Sequence, residues 1–268
     1  MPKQPPKNDW IDSKPVLLGP FVRIPRGEIV EILGLAGFDF AVADMEHGPI
    51  TVSELYPMIL AAERRGIRLI VRIPELRESY FKWLLDLGVH GIQVPHIKTA
   101  ADARAAVSFS KFSPQGERGL CRFVRAAEFS NIPKDEYLSR ANGKSVLILM
   151  VEGKEGVANV GEILEVPGID VLFVGPYDLS QSLGLIGQIW HPKVVAEIKK
   201  VIAACAGAGV AVGVFTDTPE GVARWAALGV KYINYRIEVE LLLSSAKDEV
   251  QALRRRPQLR AGRAGRRA

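Results

Sequence analysis

Short apolar runs recur along this chain at residues 16–22, 40–43, 69–73, 91–94, 146–151, 171–174, 210–215 and 232–235. They are rich in Val, Ile and Leu and hold few polar positions, the pattern of parallel strands covered on both faces. Helix-period segments lie between them. Residues 51–65 open with Thr51 and Glu54 at capping-box spacing. Residues 99–109 open on a capping residue, and 192–206 and 219–228 carry Pro in their first turn. Most runs follow a helix end with glycine, as in LAGFDF, RRGIRL, LGVHGI, AGVAVG and LGVKYI. Glycine there supplies the left-handed conformation that turns the chain back into a strand. Eight strands alternating with helices over roughly 250 residues predict an α/β fold, a single-domain (β/α)8 TIM barrel. The alternative, an open doubly wound sheet, has no glycine-rich nucleotide fingerprint after any early strand to support it.

Composition sets the limits of this barrel. With 48% hydrophobic residues in 268, the chain can bury a large core. No apolar run reaches membrane-spanning length, and MPKQPPKNDW lacks the apolar stretch of a signal peptide. Cys121 and Cys205 form no metal or redox motif, and a reduced, cytoplasmic setting is expected. The net charge of +5 comes from seven arginines in RRRPQLRAGRAGRRA; without that tail, 28 basic residues face 30 acidic ones. The tail is read as a solvated end, with contact to nucleic acid or another polyanion as the alternative. Residues 1–14 are expected to be a flexible N-terminal segment, 15–253 the barrel, and 254–268 a basic, disordered tail. About fifty residues separate the fourth run from the fifth, a length that carries function or an extra helix. A last helix is expected over 239–253, with an apolar start.

In this architecture chemistry gathers where the strands end. The second run is followed by Asp44, Glu46 and His47; the third carries Arg72; His96 follows the fourth. Glu152 follows the fifth, and Gly175-Pro176-Tyr177-Asp178 the sixth. Carboxylates at the tops of neighbouring strands stay close only if a cation or a proton separates them. A divalent metal is the first reading for Glu152 and Asp178.

The motifs GFDFAVADMEHGPI, IVRIPE, LLDLGVHGIQVPHIKTAADARAAV, PQGERG and VEGKEGVANVGEILEVPGIDVLFVGPYDLS, spread over residues 16–243, carry a resemblance. The sequence resembles the HpcH/HpaI aldolase family, metal-dependent (class II) pyruvate aldolases of the phosphoenolpyruvate/pyruvate barrel superfamily. The resemblance implies cleavage of a 4-hydroxy-2-oxo acid, such as 4-hydroxy-2-oxoheptanedioate or a 2-keto-3-deoxy sugar acid, to pyruvate and an aldehyde through an enolate. It implies Glu152 and Asp178 as ligands of Mg²⁺ or Mn²⁺, with Co²⁺ as a substitute. The backbone around Gly175, Pro176 and Tyr177 would hold the pyruvate carboxylate, and Arg72 would contact the keto oxygen. His47 would be the general base, with Asp44 or, more weakly, Glu46 orienting its ring. Asp86 would support His47, although its place at the end of a helix puts it at the opposite face, within reach only across a subunit boundary. Arg118 would stand near the substrate entrance, and His96 would be a polar rim residue.

Three further expectations come with the resemblance. The chain would form homohexamers, trimers of dimers or another homo-oligomer, with its C-terminal helix on a neighbour. Met150 stands where many family members have Gln, and Asn234-Tyr235-Arg236 does not match the family pattern. Citrate-synthase-like condensation and oxaloacetate decarboxylation are the enzymatic alternatives. A non-catalytic barrel binding a polyanion through its tail is the alternative of another class. A Schiff-base mechanism is disfavoured, since Lys154 is the nearest lysine to a strand end.

Overall fold

The structure, a computed structural model, describes residues 8–256. Its strands are β1 (Leu17–Val22), β2 (Phe40–Asp44), β3 (Arg68–Arg72), β4 (Gly91–Val94), β5 (Val146–Val151), β6 (Val171–Val174), β7 (Ala211–Thr216) and β8 (Tyr232–Ile237). They close in chain order into one barrel, every neighbouring pair parallel, with β8 returning to β1. Each apolar run of the sequence is thus a strand of a TIM barrel.

The helices are α1 (Gly27–Leu35), α2 (Leu55–Arg65), α3 (Glu78–Leu87), α4 (Ala100–Ser110), α5 (Lys134–Lys144), α6 (Lys154–Ala158), α7 (Val160–Leu164), α8 (Pro176–Ser182), α9 (Pro192–Ala208), α10 (Pro219–Ala227) and α11 (Glu238–Arg255). Their ends obey local chemistry. The Thr51–Glu54 capping box forms, although it opens a 3-10 turn, Val52–Glu54, ahead of α2. The Thr99 side chain accepts the Asp102 N–H at the start of α4. Gly37, Gly66, Gly88, Gly209 and Gly229, the glycines of the five helix ends quoted above, all have φ between 69° and 93°. Other residues would be strained there. The long connection after β4 holds α4, a 3-10 stretch and the extra helix α5.

Strand residues alternate between two cores. Phe40, Val42, Ile70, Ile148 and Phe173 fill the barrel, while Ala41, Leu69, Val71, Leu149 and Leu172 pack under the helices. Because both faces are apolar, the strands show no polar alternation in sequence. The barrel floor is aromatic: Phe40 and Tyr232 stack at 4.2 Å, and Trp10 meets both edge-on at 6.0 and 6.4 Å. Residues 8–11 therefore depart from the expectation of a loose N-terminus. Ile11 and Asn8 are buried, and Asn8 donates to the Lys144 carbonyl. The Pro- and Lys-rich composition masked a plug whose Trp and Ile cover the open end of the interior. At the other terminus, α11 runs to Arg255 with Leu242 and Leu243 exposed, and the basic tail from 257 onward lies outside the described residues. Among the described residues, no helix is long and apolar enough to cross a membrane.

One floor residue makes the fold sensitive to acid. The His90 Nδ1 accepts the Leu69 N–H at 3.1 Å. Burial, with the Arg68 charge and more weakly Arg125, outweighs Glu63 and depresses the imidazole to about 4. The folded state therefore resists a proton that the unfolded chain takes up near 6.5. This contribution is complete above pH 6.5 and disappears as pH falls toward 4. We expect a His90→Gln variant to lose less stability than wild type over that window, by on the order of 2 kcal/mol, in urea unfolding at stepped pH. Parallel curves for the two proteins would contradict this reading.

Candidate active site

Asp44 and Arg72 are register partners at the C-terminal ends of β2 and β3. Both side chains turn inward, and they form a fork-to-fork pair, Nε to Oδ1 at 2.9 Å and Nη2 to Oδ2 at 2.7 Å. Asp44 is fully buried. Burial alone would raise its pKa; the Arg72 hydrogen bond and charge, the His47 N–H and the Arg23 charge override burial and hold it below the ordinary carboxylate value. Arg72 also lies 3.0 Å from Glu46 Oε2 and 4.4 Å over the Phe21 ring. It is a cation fixed on three sides.

This arrangement changes the part expected of Asp44. Its carboxylate is committed to Arg72 and to the backbone N–H groups of Glu46 and His47. It touches His47 through the backbone and leaves the ring to others. His47 Nε2 lies 4.0 Å from Glu46 Oε2, and the side chain is 61% exposed, so it is open to a substrate or a water. Glu46, the weaker candidate from sequence, is the carboxylate beside the imidazole.

Glu152 and Asp178 face each other across Gly175. A Cβ at position 175 would sit 3.3 Å from Glu152 Oε1 and 3.4 Å from Asp178 Oδ2, and 3.1 Å from Glu152 Cγ. The glycine thus keeps open a cradle bordered by two carboxylates. Burial pushes Glu152 up to about 7; the His96 N–H and charge oppose this, while Glu46 and Asp178 add to it. Among the described residues no cluster of three or more His, Cys, Asp or Glu is arranged to hold a metal. Two protein oxygens with the rest left to water and substrate suit a hard, octahedral cation, in contrast to a closed zinc site. The residues present fit such an ion. The first-turn N–H groups of α8, at Tyr177 and Asp178, lack intrahelical acceptors and border the same cradle, whereas Pro176 has no N–H.

His96 does more than the sequence disclosed. Its φ is +58°, rare for a side chain with a Cβ, and its N–H donates to Glu152 Oε2 at 2.9 Å. Its ring nitrogens each lie 3.0 Å from a carboxylate, Nε2 from Glu46 and Nδ1 from Glu152. It bridges the Arg72 cluster to the Glu152–Asp178 pair. The signal was its position directly after a strand, shared with Glu152. Gln93 was also missed. Its buried amide donates to Met150 Sδ at 3.2 Å and accepts the Tyr232 hydroxyl at 3.4 Å. An amide therefore stands beside Met150, from the adjoining strand, and the polar residue inside an apolar run was its signal.

The structure does not bring Asp86 and Arg118 to this mouth within one chain. They pair with each other at 2.6 Å, where α3 ends, and Arg118 lies 4.4 Å over Phe112 with Tyr137 Oη at 3.3 Å. Tyr177 donates its hydroxyl to Asp217 at 2.7 Å, which with burial pushes the phenol up to about 12.

A family model described as HpcH/HpaI aldolase/citrate lyase matches residues 18–242. The chain belongs to this family. It is 35% identical over 239 residues to a 2-dehydro-3,6-dideoxy-6-sulfogluconate aldolase of Pseudomonas putida, covering 89% of this chain and 93% of that one. It is 34% identical over 232 residues to a hydroxypyruvate/pyruvate aldolase of Roseobacter denitrificans, covering 86% and 90%. A solved HpcH/HpaI aldolase/citrate lyase family protein from Burkholderia cenocepacia superposes with a TM-score of 0.86 at 33% identity, over 92% of this chain and 98% of that one. The protein is a lyase of the aldolase class.

The Asp44–Arg72 pair offers a direct test of the site's construction. Asp44→Asn leaves a buried guanidinium with half its counter-charge. We expect a loss of about 3 kcal/mol in denaturant unfolding. A stability equal to wild type would show that Arg72 does not depend on Asp44.

Proposed function

We propose that this protein is a divalent-metal-dependent aldolase that reversibly cleaves a 4-hydroxy-2-oxo acid to pyruvate and an aldehyde. The observation that carries this reading is the convergence of three elements on one mouth: the Glu152–Asp178 cradle, the fixed Arg72 guanidinium and the open His47 imidazole. Glu152 and Asp178 would hold Mg²⁺ or Mn²⁺, whose chemistry is Lewis-acid stabilisation of charge on the keto oxygen.

The chain's own groups account for the rest. Arg72, pinned by Asp44 and Glu46, presents a positive charge that needs no reorganisation when the pyruvate oxygen becomes negative. In cleavage, the C3–C4 bond breaks, the 4-hydroxyl proton leaves toward His47, directly or through a water, and the electron pair remains on C3 as the pyruvate enolate. Protonation at C3 then completes pyruvate. Addition is the reverse: C3 loses a proton, bonds to the aldehyde carbon, and the aldehyde oxygen takes a proton. Glu46 lies beside the ring, with Oε2 4.0 Å from His47 Nε2. The N–H groups at Tyr177 and Asp178 suit the substrate carboxylate.

A lysine Schiff base is disfavoured: Lys154, which lines the cleft with Glu152 and Asp178, is exposed, whereas that chemistry needs a desolvated amine. Among the described residues Lys111 is the buried lysine, and its Nζ is bonded to the carbonyls of Asn142 and Ser145, ahead of β5 and away from the strand ends that carry the site. Asp86 and Arg118 enter the reading only through a neighbouring subunit in a homo-oligomer, with the exposed start of α11 as a packing surface; a cytoplasmic setting fits.

Loss of the pyruvate methyl proton signal in D₂O tests the reading without any aldehyde. We expect exchange with Mg²⁺ or Mn²⁺, its abolition by excess EDTA, and a fall of about 10² to 10³-fold in Arg72→Met. A folded, metal-supplied protein that exchanges no protons would overturn the reading. Turnover of oxaloacetate in its place would redirect it to decarboxylation.

A further inference from the structure

The end of the barrel opposite the mouth carries a cleft of about 690 Å³. It lies where three strands begin: Arg68 opens β3, His90 precedes β4 and Ser145 precedes β5. Its volume is that of a small-molecule site. Tyr56, Leu60 and Phe129 give it an exposed apolar wall. The other walls carry charge. Arg68, Arg118, Arg125, Arg140 and Lys144 line it, five cations against the two carboxylates of Glu63 and Glu128.

Part of this charge is answered within the chain. Arg118 pairs with Asp86 and Arg125 with Glu63, each at 2.6 Å, and Arg140 lies 3.6 Å from Glu136. Helix C-termini also attract cations, and Arg125 Nη1 donates to the Leu87 carbonyl at the end of α3. Neither account covers Arg68. It stands on a strand, and among the described residues its guanidinium has no hydrogen bond or ion pair, only the Trp10 ring 5.9 Å away. Burial pulls it below the ordinary arginine pKa. Lys144, exposed in the last turn of α5, likewise has no side-chain partner among the described residues. His90 registers the excess: after burial, the Arg68 charge is the largest influence holding its imidazole down to about 4. A partly desolvated cation without a counter-ion, in a walled and positive cleft, is an arrangement that concentrates anions.

We propose that this cleft binds a small polyanion, a molecule with at least two phosphate or carboxylate groups, through Arg68 and Lys144. The planar fork of Arg68 suits two oxygens of one group, and the Lys144 ammonium suits a second group. The apolar wall accepts an organic body. The site uses neither the Glu152–Asp178 cradle nor Arg72, so it stands independently of the aldolase reading.

Calorimetric titration of the metal-free protein with pyrophosphate and with citrate tests this. We expect one saturable site per chain for at least one of them, and the tighter binder identifies phosphate or carboxylate as the preferred group. Affinity falls at least about tenfold in Arg68→Gln and about threefold in Lys144→Gln, an exposed position where substitution leaves the fold intact. Binding persists in Arg72→Met, which disables the mouth, and in Lys199→Gln, which removes an exposed charge from α9. No saturable binding of either anion, or unchanged affinity in either cleft variant, would overturn the proposal. So would loss of binding in Arg72→Met, which would place the anion in the mouth, or an equal weakening in Lys199→Gln, which would make the attraction one of net charge alone.

Discussion

Four carboxylates, Asp44, Glu46, Glu152 and Asp178, crowd the strand ends of a barrel whose walls exclude water, and the mouth is built around how each negative charge is answered. Arg72 answers Asp44 completely, in a geometry that fixes both groups. Glu46 is shared between Arg72 and His96. Among the described residues His96 pairs with Glu152, Lys98 and Lys154 line the same cleft as Glu152 and Asp178, and burial pushes the Glu152 carboxyl up to about 7. The imbalance is local, and it falls where a glycine leaves space for a cation. The same crowding that would destabilise an ordinary rim supplies a binding site and a reaction field.

Rigidity follows from the strands beneath. Asp44 and Arg72 meet because β2 and β3 are register partners, and a slip of one residue would turn both away from the interior. The layers below are packed with Phe21, Met150, Phe173 and Phe215, so the mouth has a firm apolar floor. His96 joins the two halves of the mouth from a left-handed backbone position. Strain of this kind is kept where neighbours enforce it, and here Glu152 does so through the His96 N–H.

Most of the fold was legible because each strand is buried on both faces and most return turns use a glycine. The sequence therefore marked all eight strands, and the acids just beyond them. What it could not carry was direction. The side-chain partner of Asp44 proved to be Arg72, a choice made by register across two strands and invisible to a three-residue spacing. The floor plug escaped because Trp10 and Ile11 follow a Pro- and Lys-rich lead, and covering an open barrel end is a tertiary need. The bulge at Arg236 depends on pairing with β1 and leaves no mark on β8 alone. Arg118 was read toward the mouth and Asp86 toward a neighbouring subunit's, yet within the chain they satisfy one another.

The central claim is that the charge left unanswered at Glu152 and Asp178 is met by a divalent cation. Titration of Mn²⁺ followed by its free-ion EPR signal tests this directly, in wild type and in Glu152→Gln. The account predicts one site per chain in wild type, tightened by pyruvate, and an affinity at least about tenfold weaker in the variant. Equal affinity in the two proteins, or no saturable site in wild type, would contradict it.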